Sequence, residues 1–391
     1  MERAQRILEL AAEEGFDLAG IAPLAPPRRA PEFERWLDAG HHGTLDYLAR
    51  NRARIVEPQR VLPEGRSLVV VALAHSRPAF ALPDGTRVAR YAAGRDYHNV
   101  VGKKLRRLAR HIASEGLAGR SRSIVDAGPL LERSHAAEAG LGFESKAANL
   151  LHPDFGPWFF LGELLLDVEL APTPAPFLGS CGTCTACLDA CPTGAILEPG
   201  LVDSPRCISY QTIENRGPVP HELRPEIGSW AFGCDVCSEV CPWGARAPDR
   251  GSRFGVHAAL GESSGVAAWL ELDDAGFAER FEGSALRRPR RAGLARNAAI
   301  VLGNRGPEAG DGARRVLLEA LRFDPSDLVR EAAGWALGRA FPDPETRGAV
   351  DGARREVDPA ARAGLEHTLS TWREAPGRPD SSTRPAGRRT D

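Results

Sequence analysis

The stretch Cys181-Gly-Thr-Cys184-Thr-Ala-Cys187-Leu-Asp-Ala-Cys191-Pro192 sets the reading of this chain. Three cysteines at C-x2-C-x2-C spacing wrap one face of a cuboidal iron–sulfur cluster. The fourth, held by the following proline, points towards a second cluster. The run therefore demands a complement downstream. It is found as Cys234-Asp-Val-Cys237-Ser-Glu-Val-Cys241-Pro242, which lacks a first cysteine because position 231 is Ala231. Cys207, between the two runs, completes the set, and all eight cysteines are used. Ferredoxin logic assigns one [4Fe–4S] cluster to Cys181, Cys184, Cys187 and Cys241, and the other to Cys191, Cys207, Cys234 and Cys237. Zinc sites and disulfides are the competing readings. Zinc favours two separated C-x2-C pairs and does not account for two runs that each close on Cys-Pro.

Working outward, 391 residues with 42% hydrophobic and 26% charged composition bound a soluble globular protein of two or three domains. No apolar run approaches the length of about 18 residues that a membrane helix needs. The opening Met1-Glu-Arg-Ala-Gln-Arg lacks the apolar centre of a signal peptide. Cysteines confined to cluster spacing argue for a reducing compartment, so a cytoplasmic monomer away from any membrane is expected. The net charge of −2 carries no global nucleic-acid signal.

Upstream of the cysteines, residues 1–15 and 32–39 read as helices, with a loop at 23–31. Ser67–Ala74 reads as a buried strand and Lys103–His111 as a basic amphipathic helix. The adjacent His41 and His42 fit a loop or cap better than a metal site. Ser123–Asp126 reads as a strand ending in a turn, with Asp126 either facing a cleft or serving the turn. Leu130–Leu141 reads as a helix. Trp158–Asp167 reads as one or two buried strands broken at Gly162. The proline-rich Ala171-Pro-Thr-Pro-Ala-Pro marks a domain boundary. Cys207 is expected on a helix. Downstream, Arg287, Arg288, Arg290, Arg291 and Arg296 form a dense basic patch. Arg296–Gly303 and Arg330–Gly338 resemble each other at a period of about 34 residues, the signature of stacked HEAT-type helix pairs. Residues 374–391 read as a disordered tail. The expected architecture is α+β and multidomain: an N-terminal α/β domain (1–170), a ferredoxin-like double-cluster domain (171–250) and a C-terminal α-helical region (251–373).

Two clusters make a one-electron wire, and a wire needs a terminus. The N-terminal part holds neither G-x-G-x-x-G after a strand nor a P-loop lysine motif. It offers Asp96, Tyr97, His98, Asp126 and Lys146 amid apolar strands. Asp96-Tyr-His98-Asn-Val-Val-Gly102 approaches the D-x-H-x-x-G signature of cobalamin proteins, but its glycine falls one place late, so His98 is not read as a cobalt ligand.

The chain resembles the epoxyqueuosine reductases. The resemblance runs through Arg90-Tyr91, Gly94-Arg-Asp96-Tyr97-His98, Val125-Asp126-Ala-Gly-Pro-Leu-Leu-Glu-Arg133 and Phe159-Phe-Leu-Gly-Glu-Leu164. It continues in Arg206-Cys207-Ile-Ser209-Tyr210, both cysteine runs, Glu222-Leu-Arg-Pro225 and Arg291-Ala-Gly-Leu-Ala-Arg296-Asn297. It implies cobalamin bound by the N-terminal domain, two [4Fe–4S] clusters, and reduction of epoxyqueuosine to queuosine in a tRNA anticodon loop. It puts the proton donor at Asp126. It puts cofactor contacts at Arg54, Leu150, Leu161 and Ser209; Asp96, Tyr97, His98 and Lys146 are further expected beside the cofactor, and Arg216 with the five arginines of the patch is expected to contact tRNA. An external low-potential electron donor is implied as well. The chain departs from the family pattern at Ser145-Lys146-Ala147, where members usually carry G-K-N.

The chemistry is coherent. Converting an epoxide to an alkene consumes two electrons and two protons, and the departing oxygen needs an acid. A carboxyl group in an apolar pocket, with its pKa raised by burial, would supply one, and Asp126 is the expected residue. Two other classes compete: a corrinoid reductase of a small molecule, and an iron–sulfur electron carrier whose extra domains dock partners. Neither assigns work to the basic patch.

Overall fold

The computed structural model describes residues 2–176, 178–261 and 265–372; the expected tail at 374–391 lies outside them. Strand Ser67–Ala74 is buried along its whole length, as its unbroken Leu/Val/Ala run requires. It lies between Leu18–Pro23 and Phe159–Leu166, and Ser121–Ile124 pairs with the far edge of the latter, every pairing antiparallel. On one face, Ile7 and Leu10 of helix Glu2–Glu13 and Val101 and Leu105 of helix Tyr97–Ser114 pack on Val69, Val71 and Leu164. On the other, Ala136 and Ala137 of helix Glu132–Glu138 pack on Val70 and Leu165. Each fully buried Val or Leu contributes about 1.5–3 kcal/mol, so this sandwich is a rigid platform.

Phe159–Leu166 does not break at Gly162. The strand is continuous, with Gly162 opposite Val71. A Cβ at Gly162 would stand 2.8 Å from Leu105 and 3.0 Å from Val101, so glycine here lets a helix settle close on the sheet. The basic helix begins earlier than position 103, at Tyr97, because the Asp96 carboxylate caps it by accepting the His98 backbone N–H. The helix expected over 130–141 is shorter, Glu132–Glu138, and gives way to Gly140 at φ +80°.

The cysteine domain is not a separate bead. Strand Trp230–Phe232 pairs with Arg87–Val88, which pairs in turn with Phe80–Ala81. One apolar core runs from Val88 and Ala92 through Ala231 and Phe232 to Leu294, Ala298 and Leu337. Ala231 is fully buried there and its carbonyl accepts the Asn297 side-chain amide. A cysteine at 231 would face this core, which explains why the second run lacks its first ligand.

The similar segments near 296 and 330 fall within helices Arg290–Arg305 and Asp327–Ala340, packed against each other. At Gly303 a Cβ would meet the Ala336 Cα at 2.8 Å, so small residues permit this contact. Helices Gly310–Phe323, Pro344–Ala353 and Pro359–Ser370 complete the layer. Among the described residues, no helix is long and apolar enough to cross a membrane.

Candidate active site

Cys181, Cys184, Cys187 and Cys241 line a single cavity with Trp243, and Cys237, expected in the second ligand set, lines it too. The second set is also drawn together: Cys207 acts electrostatically on Cys234 and Cys237, and Cys191 acts on Cys207 and Cys237. Among the described residues no three candidate ligands close on one metal ion. Sulfurs arranged around a cavity suit a multi-iron cluster better than a mononuclear site. Burial pushes the Cys237 thiol up to about 12, so only bound iron would hold it as thiolate at neutral pH. Cys207 is not within a helix. It sits at φ −70°, ψ 129°, just before helix Ile208–Ile213, with its thiol against the backbone N–H groups of Ser209 and Tyr210. The Ser209 hydroxyl lies against that thiol.

Lys146 serves the first cysteine group. Its ammonium donates to the carbonyls of Gly182 and Cys184 at 2.8 and 2.9 Å, and its backbone N–H points at Cys181 Sγ, 3.5 Å away. These bonds tie the Lys146 ammonium, expected beside the cofactor, to the cysteine loop. Asp96 is likewise committed, to its helix cap and to His98.

Asp126 follows strand Ser121–Ile124 with φ +53°, in the left-handed region that a non-glycine residue seldom adopts. Its side chain remains 58% accessible. Tyr97 donates its hydroxyl to Asp126 Oδ2 at 2.5 Å, and His98 Nε2 lies 3.3 Å from the same oxygen. His98 Nδ1 is 2.8 Å from Asp96 Oδ1. Both ring nitrogens are thus engaged. Burial alone would lower the His98 pKa, but Asp126 and Asp96 carry it up to about 9. Burial alone would raise that of Asp126, but the hydrogen bonds from His98 and Tyr97 hold it below the usual carboxylate value. The direction is opposite to that expected for a neutral Asp126 in an apolar pocket: the two hydrogen bonds favour its carboxylate form beside a protonated imidazole.

The sequence reading assigned no role to Tyr47, Glu132, Glu163 or Glu214, and did not place its Arg288 near Asp126. Tyr47 and Arg288 are close enough to act electrostatically on Asp126 or to feel its charge. Glu214 accepts two hydrogen bonds from Arg288, at 2.9 and 3.0 Å. Glu132 accepts the Asp126 backbone N–H at 2.6 Å. Glu163, fully buried on the central strand, lies beside Glu132. A single glutamate in the run Phe-Phe-Leu-Gly-Glu-Leu-Leu-Leu was the one signal the sequence offered for the last.

The arginine patch divides. Arg291 is buried and makes a bidentate pair with Asp324, both bonds 2.8 Å. Arg296 is 0% exposed and donates to the carbonyls of Gln211, Asn215 and Gly217. Neither reaches a phosphate, which corrects their expected place among tRNA contacts. Their partners are distant in sequence, so the basic run looked uniformly exposed. Arg216, Arg287, Arg288 and Arg290 remain on the surface, with Arg288 near Asp126. Arg54 is exposed as well, whereas Leu150 is buried and Leu161 partly covered.

Fold and site together define an iron–sulfur oxidoreductase that joins a double-cluster cysteine module to a domain bearing an accessible, hydrogen-bonded acid. Residues 180–244 match the family model of the 4Fe-4S double cluster binding domain, and residues 56–127 match that of "Epoxyqueuosine reductase QueG, DUF1730". An epoxyqueuosine reductase of Pseudomonas aeruginosa is 40% identical over 86% of this chain and 94% of its own. That of Escherichia coli K12 is 39% identical over 86% and 89%. A solved epoxyqueuosine reductase bound to an epoxyqueuosine-modified tRNA-Tyr stem loop superposes with TM-score 0.79 at 28% identity, covering 94% of this chain and 97% of its own. One from Bacillus subtilis, described with its catalytic aspartate loop swung out of the active site, gives 0.81 at 27% identity, covering 94% and 98%. The chain belongs to the epoxyqueuosine reductase family.

Proposed function

We propose that this protein reduces the epoxide of epoxyqueuosine in a tRNA anticodon loop to the alkene of queuosine, with Asp126 delivering a proton to the departing oxygen. The observation that carries the reading is the Asp96–His98–Asp126–Tyr97 chain, with the Asp126 carboxylate accessible. In the balanced reaction both C–O bonds of the epoxide break and a C=C bond forms. Two electrons enter, and the oxygen departs as water with two protons.

The fit to two [4Fe–4S] clusters rests on the two cysteine groups and the cavity of the first. The fit to cobalamin rests on Leu161, two places before Glu163 on the strand that Ser121–Ile124 joins, whose partly covered side chain would offer an apolar shelf to a broad macrocycle. Arg54, Leu161, Ser209 and the backbone at Leu150 are the residues that would hold it, with Tyr97 and His98 at its edge. When bound, the clusters would pass electrons singly and cobalamin would gather a pair at cobalt.

This chain's residues then manage the proton. His98 and Tyr97 both act on Asp126 Oδ2, which leaves Oδ1 free of protein partners among the described residues. Substrate entry displaces water and weakens the preference for the ion pair, so the proton shifts from His98 through Asp126 to the oxygen. Arg216, Arg287, Arg288 and Arg290 would take up phosphates. We also read the C-terminal helices as two HEAT-type units that carry this patch. The electron donor would be an external low-potential protein.

The test is anaerobic turnover of a modified anticodon stem loop by protein reconstituted with iron, sulfide and cobalamin under a strong reductant. Queuosine formation that depends on cobalamin is the expected result. Fully loaded protein that leaves the stem loop unchanged would sink the proposal.

A further inference from the structure

Glu163 is the feature that the proposed chemistry leaves unused. It stands on strand Phe159–Leu166 among Ile124, Leu130 and Leu165, and is 0% exposed. Neither of its oxygens finds a hydrogen-bond donor in the arrangement present. A carboxylate without partners in an apolar layer is too costly to persist, so the group must be neutral or must share a proton. The neighbour that acts on it most strongly is the Glu132 carboxyl. Glu132 in turn accepts the backbone N–H of Asp126, whose left-handed φ of +53° needs an external restraint.

We propose that Glu132 and Glu163 are positioning residues for the active-site acid: they form a carboxylic acid–carboxylate pair, sharing one proton, that clamps the Asp126 backbone in its strained conformation. Glu163–OH donates to one Glu132 oxygen, and Oε1 of Glu132 accepts from the Asp126 amide. Without the shared proton, two adjacent anions would repel and the clamp would open.

The surroundings favour this state. Burial and then the Asp126 charge push the Glu132 pKa up to about 7, and burial and the Glu132 charge push that of Glu163 well above its ordinary value. The other ionisable groups around the pair are few. Arg133 lies on the same helix as Glu132, with one guanidinium nitrogen hydrogen-bonded to the Ala148 carbonyl. His135 is buried on that helix, and burial alone pushes its pKa down to about 4, so it brings no charge. Tyr47 and Tyr97 face the pair from two other helices and stay neutral, burial having raised both. No cation neutralises Glu163 itself among the described residues, so a proton is the remaining counter-charge.

The importance of the clamp for turnover rests on Asp126 being the acid, so the test separates the two. Hydrogen exchange of residues 124–131 in the full chain reads the clamp directly, independent of what Asp126 does. Glu132→Ala and Glu163→Leu should raise exchange there about tenfold or more, with strand Ser67–Ala74 unchanged. Both should lower kcat by about tenfold or more and leave KM for the stem loop near its starting value. Glu163→Gln retains a donor that does not titrate, and should restore slow exchange and most of kcat. The proposal is overturned if Glu132→Ala and Glu163→Leu leave exchange at 124–131 unchanged. It is equally overturned if exchange rises uniformly over the molecule, or if Glu163→Gln behaves as Glu163→Leu. Loosened exchange in these variants, alongside a fully active Asp126→Asn, would keep the clamp and remove Asp126 as the acid.

Discussion

His98 Nε2 stands 3.3 Å from Asp126 Oδ2, with the opposite ring nitrogen held 2.8 Å from Asp96. The imidazole bridges two carboxylates, and this bridge, more than an apolar pocket, is what keeps a proton next to Asp126. Asp126→Asn should therefore abolish turnover, by about 10²–10⁴-fold, the usual range for a general acid. Iron, sulfide and corrin content should stay at the starting level. Single-turnover queuosine formation, with metal and corrin analysis of the same sample, checks both halves.

The same bridge fixes the pH dependence. The His98 pKa is raised to about 9, so the proton is present below that pH and is lost as pH rises through it. Turnover should fall on the alkaline side near pH 9. His98→Gln should remove that limb and lower the plateau by about 10–100-fold. Tyr97→Phe, which deletes one donor to Oδ2, should cost less, about tenfold. The pH–rate profile of the three proteins decides; an alkaline limb unchanged in His98→Gln would place the titrating group elsewhere.

Cys207 carries a prediction about the wire. Cys207→Ala should lose one cluster and keep most of the other, because the cavity lined by Cys181, Cys184, Cys187, Cys237 and Cys241 does not include it. Iron and sulfide counts near half of the starting values, with one remaining cluster signal by electron paramagnetic resonance, are expected. Retention of both clusters would break the ligand assignment.

Two arginines of one basic run should behave differently. Arg288 is 52% exposed, and its partner is Glu214. Arg288→Ala should leave the melting temperature within a few degrees, weaken stem-loop binding, and reduce the salt slope of log K by about one. Arg296→Ala orphans three buried carbonyls and should destabilise the fold by about 3 kcal/mol or more. Binding titrations at several salt concentrations and thermal melts of both variants distinguish the roles.

The prediction for Arg296 shows where sequence reading reached its limit. Arg287 to Arg296 reads as one polycation, since helical periodicity reports which residues share a face but not what packs on that face. Asp324, and the carbonyls of Gln211, Asn215 and Gly217, reach Arg291 and Arg296 only through the tertiary fold. Lys146 is similar: a lysine in a polar loop looks free until the loop of Cys181 to Cys184 is laid beneath its ammonium. Tyr47 comes near Asp126 from a short helix far upstream, and no motif marks it.

What the sequence determined by itself was the chemistry carried by spacing. Cys181, Cys184, Cys187 and Cys191 fall within one short loop, so covalent geometry limits what they can bind. The demand for a second run and a solitary Cys207 follows from that geometry. Strand Ser67–Ala74 was equally legible, because a continuous apolar run has few other fates. The tertiary structure alone decided the state of Asp126. Its protonation depends on His98, Tyr97, Glu132 and Glu163, which come from three different elements, and electrostatic effects depend on distance in space and local burial. The structure also decided that Ala231 belongs to a core shared by the cysteine module and the helices. That sharing leaves no room for a cysteine at 231, so the proposed fourth ligand, Cys207, is drawn from elsewhere in the chain.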